Sequence, residues 1–135
     1  MPEAGHDSAL AELVELAERA RELAYARYSN FKVGAAVRSE SGRTFSGCNV
    51  ENASYGATLC AERSAVAAMV AAGERRIVAV AVFTEAEPPS MPCGICRQVL
   101  LEFGSAATQI VAVSRSGRRV ATLAELLPQP FLLDR

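Results

Sequence analysis

The stretch "CAERSAVAAMVAAGERRIVAVAVFT", residues 60–84, reads as two elements, and their order decides the fold. Residues 60–72 form a helix of small residues, whose alanines allow close packing, stopped by Gly73. Residues 77–84, "IVAVAVFT", are continuously apolar and β-branched, as expected of a central strand covered on both faces. A loop, "EAEPPSMP", follows, then a helix from Cys93 to Phe103 ended by Gly104, and "QIVAVS" as a second strand. Helix, strand, helix, strand implies an α/β fold, a sheet with helices on its faces.

Outward from this unit, "DSALAELVELAERARELAYARY", residues 7–28, predicts one amphipathic helix with Asp7 or Ser8 as N-cap. Its apolar positions include Leu10, Leu13, Val14, Ala17 and Ala24. "FKVGAAVRS" and "TFSGCNV", joined by the turn-rich "ESGR", suggest a hairpin. "ENASYGAT" is a polar loop. Near the end, "SGRR" turns the chain and "TLAELLP" gives a short helix, capped by Thr122 and stopped by Pro128.

At 135 residues, half of them hydrophobic, the chain is expected to be a single domain over residues 1–135 that folds without disulfides. Four cysteines, an internal Cys-x-x-Cys and no charged-then-apolar leader point to a reducing cytoplasm and to metal or redox use of thiols. No apolar run reaches the roughly 20 residues of a membrane span. A net charge of −1 without a basic stripe argues against polynucleotide binding and for a small-molecule partner.

Chemistry concentrates at two helix starts. Cys60 opens one, with Glu62 in its first turn. Pro92 suits the first-turn position of the other, which sets Cys93 and Cys96 three apart on one face, close enough to grip one ion. Helix N-termini favour the thiolates that zinc requires, and three protein ligands leave a fourth position for water, beside which Glu62 would stand. Two alternatives stay open. Cys93 and Cys96 as a redox pair would leave Cys60 and Glu62 without a task. A closed four-cysteine site would recruit Cys48, although its apolar neighbours favour a buried core thiol. Taken singly, a free cysteine and a first-turn glutamate need no function at all. The single histidine, His6, sits in the polar N-terminal segment, which removes most Ser-His and Cys-His hydrolase schemes.

Cys-Ala-Glu followed by Pro-Cys-x-x-Cys resembles the zinc-deaminase signature in its all-thiolate form. With "YSNFKVGAA", "GCNVENASYG", "TLCAERSA" and "PCGICRQVL" in this order, the chain is similar to the short, homotetrameric cytidine deaminases from about Tyr28 to Phe131. The resemblance implies a three-layer α/β/α sandwich around a central mixed sheet, with one zinc per chain on Cys60, Cys93 and Cys96. It implies addition of water at C4 of cytidine or deoxycytidine and loss of ammonia, serving pyrimidine salvage, with Glu62 as proton shuttle. Three thiolates on a divalent ion carry a formal charge of −1, and the resemblance assigns Arg63 to offset it through hydrogen bonds to the sulfurs.

By the same resemblance, Asn49 and Glu51 bind the ribose hydroxyls, Phe31 packs on the base and the Ala61 backbone holds it. Taken alone, Asn49 and Glu51 also suit turn chemistry, Phe31 a core position and Arg63 an exposed helix face. Tyr55 and Phe131 match residues that act across subunits in a homotetramer with shared active sites. The apolar tail "PFLLDR" supports an interface independently, with packing on its own subunit as the alternative. The competing functions are a deaminase of a blasticidin-type aminoacyl-nucleoside and a zinc-stabilised binding module without turnover. The intact "NVENASYG" favours the plain nucleoside. Guanine and polynucleotide cytosine deaminases fit less well, since they usually place His before the Ala-Glu pair.

Overall fold

A computed structural model describes residues 2–133, with side chains from Ser8 onward. The elements run α1 (Pro2–Arg21), β1 (Gly34–Ser39), β2 (Thr44–Cys48), α2 (Ala61–Ala71), β3 (Ile77–Phe83), α3 (Gly94–Phe103), β4 (Gln109–Ser114), β5 (Gly117–Thr122) and α4 (Leu123–Leu126), with a 3-10 turn at Tyr55–Ala57. The sheet order is β2-β1-β3-β4-β5. Only β3 and β4 are parallel; the other neighbours are antiparallel, so the sheet is mixed, as expected.

Period-2 alternation along the strands divides the core. Ala36, Ala79, Ala81, Phe83 and Val111 face Leu10, Leu13 and Ala17 of α1. Val37, Val80, Val82 and Ile110 face Ala65, Val66, Met69, Leu100 and Leu123 of α2, α3 and α4. These are the three layers. β3, at the centre of the sheet, is buried at every position except Val78. Among the described residues no helix is long and apolar enough to cross a membrane.

Four sequence expectations are corrected. Helix α1 starts at Pro2, not at an Asp7 or Ser8 cap, because Pro2 and Glu3 are themselves good first-turn residues. The backbone of His6 therefore lies in α1, while its side chain falls outside those described. The same helix stops at Arg21 instead of continuing to Tyr28. Tyr25 donates its N–H to the Asn49 carbonyl at 3.0 Å and its carbonyl accepts from the Glu51 N–H at 2.9 Å, so long-range pairing displaces the helical bonds. The "SGRR" segment is not only a turn. Ser114 pairs with Gly117, and the chain returns as the edge strand β5, whose exposed "GRRV" shows no apolar alternation to reveal it. Cys48 ends the edge strand β2 and is half-buried, not a core thiol.

Two glycines set the spacing of layers. A Cβ on Gly34 would stand 1.9 Å from the Ala17 carbonyl oxygen of α1, and one on Gly47 would stand 2.6 Å from the Ala65 nitrogen of α2. Neither backbone can give way cheaply. Gly34→Ala is expected to lower stability by about 1–3 kcal/mol or more in urea titration, as overpacking does. Gly56→Ala, which meets nothing within 4 Å, is the control and should leave the midpoint nearly unchanged.

Candidate metal centre and active-site cavity

Cys60 and Cys93 are the N-cap residues of α2 and α3, and neither side chain makes a capping hydrogen bond. Pro92 therefore lies just before the cap and not in the first turn. Because the two helices begin beside each other, both N-termini aim their positive ends at one point. Cys96, fully buried one turn into α3, completes a group whose three sulfurs all lie within 4.8 Å of one another. Zn–S bonds of about 2.3 Å in a tetrahedron require sulfurs roughly 3.8 Å apart, so the donor set fits one zinc ion with one position left over. Cys48 is not part of this group.

Two charged side chains flank the sulfurs. Glu62 is 5% exposed, and Cys96 Sγ donates to its Oε1 at 3.8 Å. Burial pushes the Glu62 carboxyl up from the usual range, against lowering by its own backbone N–H, by Cys96 and by Arg63. Arg63 Nη2 donates to Cys60 Sγ at 3.6 Å and to the Thr58 carbonyl at 3.1 Å. Its Nε is buried without a hydrogen-bond partner. The hydrogen bond with the Cys60 sulfur, and after it contact with Cys96, raises the Arg63 pKa against lowering by burial.

In front of the sulfurs lies a cavity of about 340 Å³ lined by Ser29, Phe31, Val33, Asn49, Glu51, Cys60, Ala61, Glu62 and Cys93, among others. Segments remote in sequence meet there: β1 and β2 carry the 28–33 and 49–51 loops to the N-terminus of α2, and the chain before α3 brings Cys93. Such a lining suits a small, partly apolar molecule.

A family model described as the cytidine and deoxycytidylate deaminase zinc-binding region matches residues 7–113. The chain belongs to the cytidine deaminase family. It is 44% identical over 123 residues to the cytidine deaminase of Halalkalibacterium halodurans, covering 90% of this chain and 93% of that one. It is 48% identical over 111 residues to that of Mycobacterium tuberculosis, covering 82% and 80%. The crystal structure of the Burkholderia pseudomallei cytidine deaminase superposes with a TM-score of 0.86 at 49% identity, covering 90% of this chain and 98% of that one. The three-layer expectation agrees with these structures.

Family likeness does not make every expected contact visible in one chain. Asn49, 8% exposed, uses its amide on the neighbouring loop: Oδ1 accepts from Val33 N–H at 2.9 Å and Nδ2 donates to the Phe31 carbonyl at 2.8 Å. Glu51 accepts from the Tyr28 and Ser29 N–H groups at 2.8 and 3.0 Å and from the Ser29 hydroxyl. Hydrogen bonds from the Ser29 hydroxyl and the Ser29 N–H, with the Tyr28 N–H after them, hold its carboxyl below the usual range against the opposing effect of burial. Both residues thus clamp the 28–33 loop, the turn chemistry their types allow, while bordering the cavity.

Tyr55, 81% exposed, lines a neighbouring depression with Tyr28, Asn52 and Thr58. Phe131, 71% exposed, lies against Gln98 and Leu101 of α3. Neither reaches the main cavity within this chain. Ser29 went unnoticed in the sequence; its signal is the "YSNF" motif, in which a serine two residues before an aromatic can turn the backbone.

Metal analysis should find one zinc per chain. Cys48→Ala is expected to keep it, whereas Cys60→Ala, Cys93→Ala or Cys96→Ala should lose stoichiometric zinc. Zinc loss from Cys48→Ala would indicate a four-cysteine site instead.

Proposed function

We propose that this chain hydrolyses cytidine and deoxycytidine to uridine and deoxyuridine with release of ammonia. The observation that carries the reading is one cavity in which Cys60 and Cys93 of the three-sulfur cluster and the buried Glu62 carboxyl meet Phe31, Asn49 and Glu51. Zinc on Cys60, Cys93 and Cys96 supplies a Lewis acid that brings the pKa of water toward neutrality. Glu62 takes a proton from the attacking water and delivers one to N3, which makes C4 electrophilic. The water oxygen bonds to C4; Glu62 then takes the remaining proton from the new C4 hydroxyl and passes it to the departing amine, as the C4–N4 bond breaks and the C4 carbonyl forms. Water plus cytidine gives uridine plus ammonia, so the reaction balances without a further reactant.

The other residues bind and orient. Phe31, about two-fifths exposed, offers a ring to the base, and the Ala61 backbone at the helix start offers polar groups to its edge. Asn49 and Glu51 each keep hydrogen-bonding capacity beyond the loop contacts, since an amide has two donors and a carboxylate about four acceptor sites. That remaining capacity suits ribose hydroxyls. Arg63 offsets the negative charge of the sulfurs. The reading includes a cytoplasmic salvage enzyme, which is supported by four cysteines that are all free thiols.

Ammonia release from cytidine tests this directly. Wild type should turn cytidine over with a kcat/KM far above that for free cytosine, because a site built for sugar hydroxyls leaves polar groups unpaired when they are missing. Glu62→Gln should retain zinc and lose roughly 10²- to 10⁴-fold in kcat, as removal of a general acid-base group does. A near-normal kcat in this variant would refute the proton-transfer scheme.

We also infer a homotetramer with shared sites, supported by the exposure of Tyr55, Phe131, Leu132 and Leu133. Ending the chain after Pro130 is expected to give smaller species in sedimentation and a raised KM for cytidine. An unchanged assembly with unchanged KM would return the tail to packing within its own subunit.

A further inference from the structure

We propose that Arg97 is a positioning residue that fixes the direction of the metal ligand Cys93. Cys93 is exposed and its side chain makes no capping bond, so its sulfur meets only the Cys96 backbone N–H and the other two sulfurs of the cluster. Its backbone, however, is gripped on both sides by one residue. Arg97 Nε donates to the Pro92 carbonyl at 2.6 Å, and Arg97 N–H donates to the Cys93 carbonyl at 2.9 Å. The peptide planes before and after the Cys93 Cα are thereby both fixed, and with them the φ of −68° and ψ of 171° that aim Cβ at the sulfur cluster.

The other end of the guanidinium anchors this grip to the body of the domain. Arg97 Nη1 donates to the Leu126 carbonyl at 2.8 Å, in the last turn of α4, where carbonyls lack helical partners. Arg97 thus links the cysteine turn to α4, whose own start is locked by the Thr122–Glu125 capping box. A planar fork can satisfy two carbonyls at fixed separation; an ammonium on a flexible stem can satisfy one of them. Groups that orient a metal ligand without touching the metal typically change affinity by about 10- to 100-fold when removed.

The inference rests on the zinc reading of the cysteine cluster, so the test reads zinc itself. Zinc-loaded wild type, Arg97→Ala, Arg97→Lys and Leu13→Ala are mixed with a chromogenic chelator at a temperature where circular dichroism shows each folded, and the rate of zinc loss is followed. Leu13→Ala opens a cavity on the opposite face of the sheet and controls for general loss of stability. Arg97→Ala is expected to lose zinc about 10- to 100-fold faster than wild type, Arg97→Lys at an intermediate rate and Leu13→Ala at the wild-type rate. Cobalt(II) in the site should show altered absorption bands in Arg97→Ala but not in Leu13→Ala. Wild-type zinc loss from Arg97→Ala, or equal acceleration in Leu13→Ala, overturns the proposal. If Arg97→Ala does not fold, Arg97→Lys decides alone, and a wild-type rate in it overturns the proposal. A wild type that holds no zinc overturns the metal reading and this one with it.

Discussion

Three sulfurs within 4.8 Å of one another are the constraint around which this domain is built. As thiolates at about 4 Å and an effective dielectric of about 20, each pair would repel by about 4 kcal/mol, roughly 12 kcal/mol for the three. A helix N-terminus typically returns about 0.3–1 kcal/mol, or ~2 at best, so two converging helices and Arg63 lower the repulsion without cancelling it. A divalent cation is what makes the arrangement favourable. Without it Cys96 holds its proton: burial pushes the Cys96 thiol up, with Glu62 and Cys60 adding to the effect. Burial acts on Cys93 in the same sense, but the Cys96 backbone N–H and hydrogen bonds with the Cys96 and Cys60 sulfurs outweigh it and leave Cys93 low. Metal binding must then release the proton that Cys96 shares with Glu62, which couples affinity to pH.

Everything nearby follows from holding two helix starts together. β3 carries the chain across the middle of the sheet, α3 covers one face, and β4 returns parallel to β3. Helix α2 comes down on β1 and β2 of the same face, which requires Gly47 beneath it and alanines along it. The layers are close because the residues between them are small. A cysteine at an N-cap is a weak cap by itself, so sequence preference for helix initiation is given up at both positions in exchange for sulfurs that point outward from the helix ends.

Much of this was legible in the chain because the signals are local. The period of residues 60–84, the glycine stops and the Thr122 cap need only neighbouring residues, and the Cys-x-x-Cys spacing needs only one helical turn. What escaped depends on partners far along the sequence. β5 is a strand because β4 offers it an edge, not because "GRRVAT" alternates. Helix α1 ends at Arg21 because Asn49 and Glu51 bid for the backbone of Tyr25. Arg97 reads as an ordinary helix arginine until Pro92 and Leu126 are seen on either side of it. Asn49 and Glu51 were legible as polar residues at a strand end, but their grip on the 28–33 loop spans 16 or more positions.

That grip has a consequence for the cavity wall. The 28–33 loop belongs to no strand, and its backbone groups are met by side chains instead of a sheet ladder: Phe31 N–H donates to Ser29 Oγ at 3.0 Å, the Phe31 carbonyl accepts from Asn49 and Val33 N–H donates to Asn49. Phe31 is thus held fast at its backbone, while its ring stays partly exposed to the cavity. An aromatic fixed in this way loses little further backbone freedom when a planar ligand stacks on it, so more of the contact free energy remains for binding. Asn49 and Glu51 therefore connect two demands on the same site. Any change that weakens their contacts to the loop also loosens the ring that would face the base, even though neither side chain need touch that base.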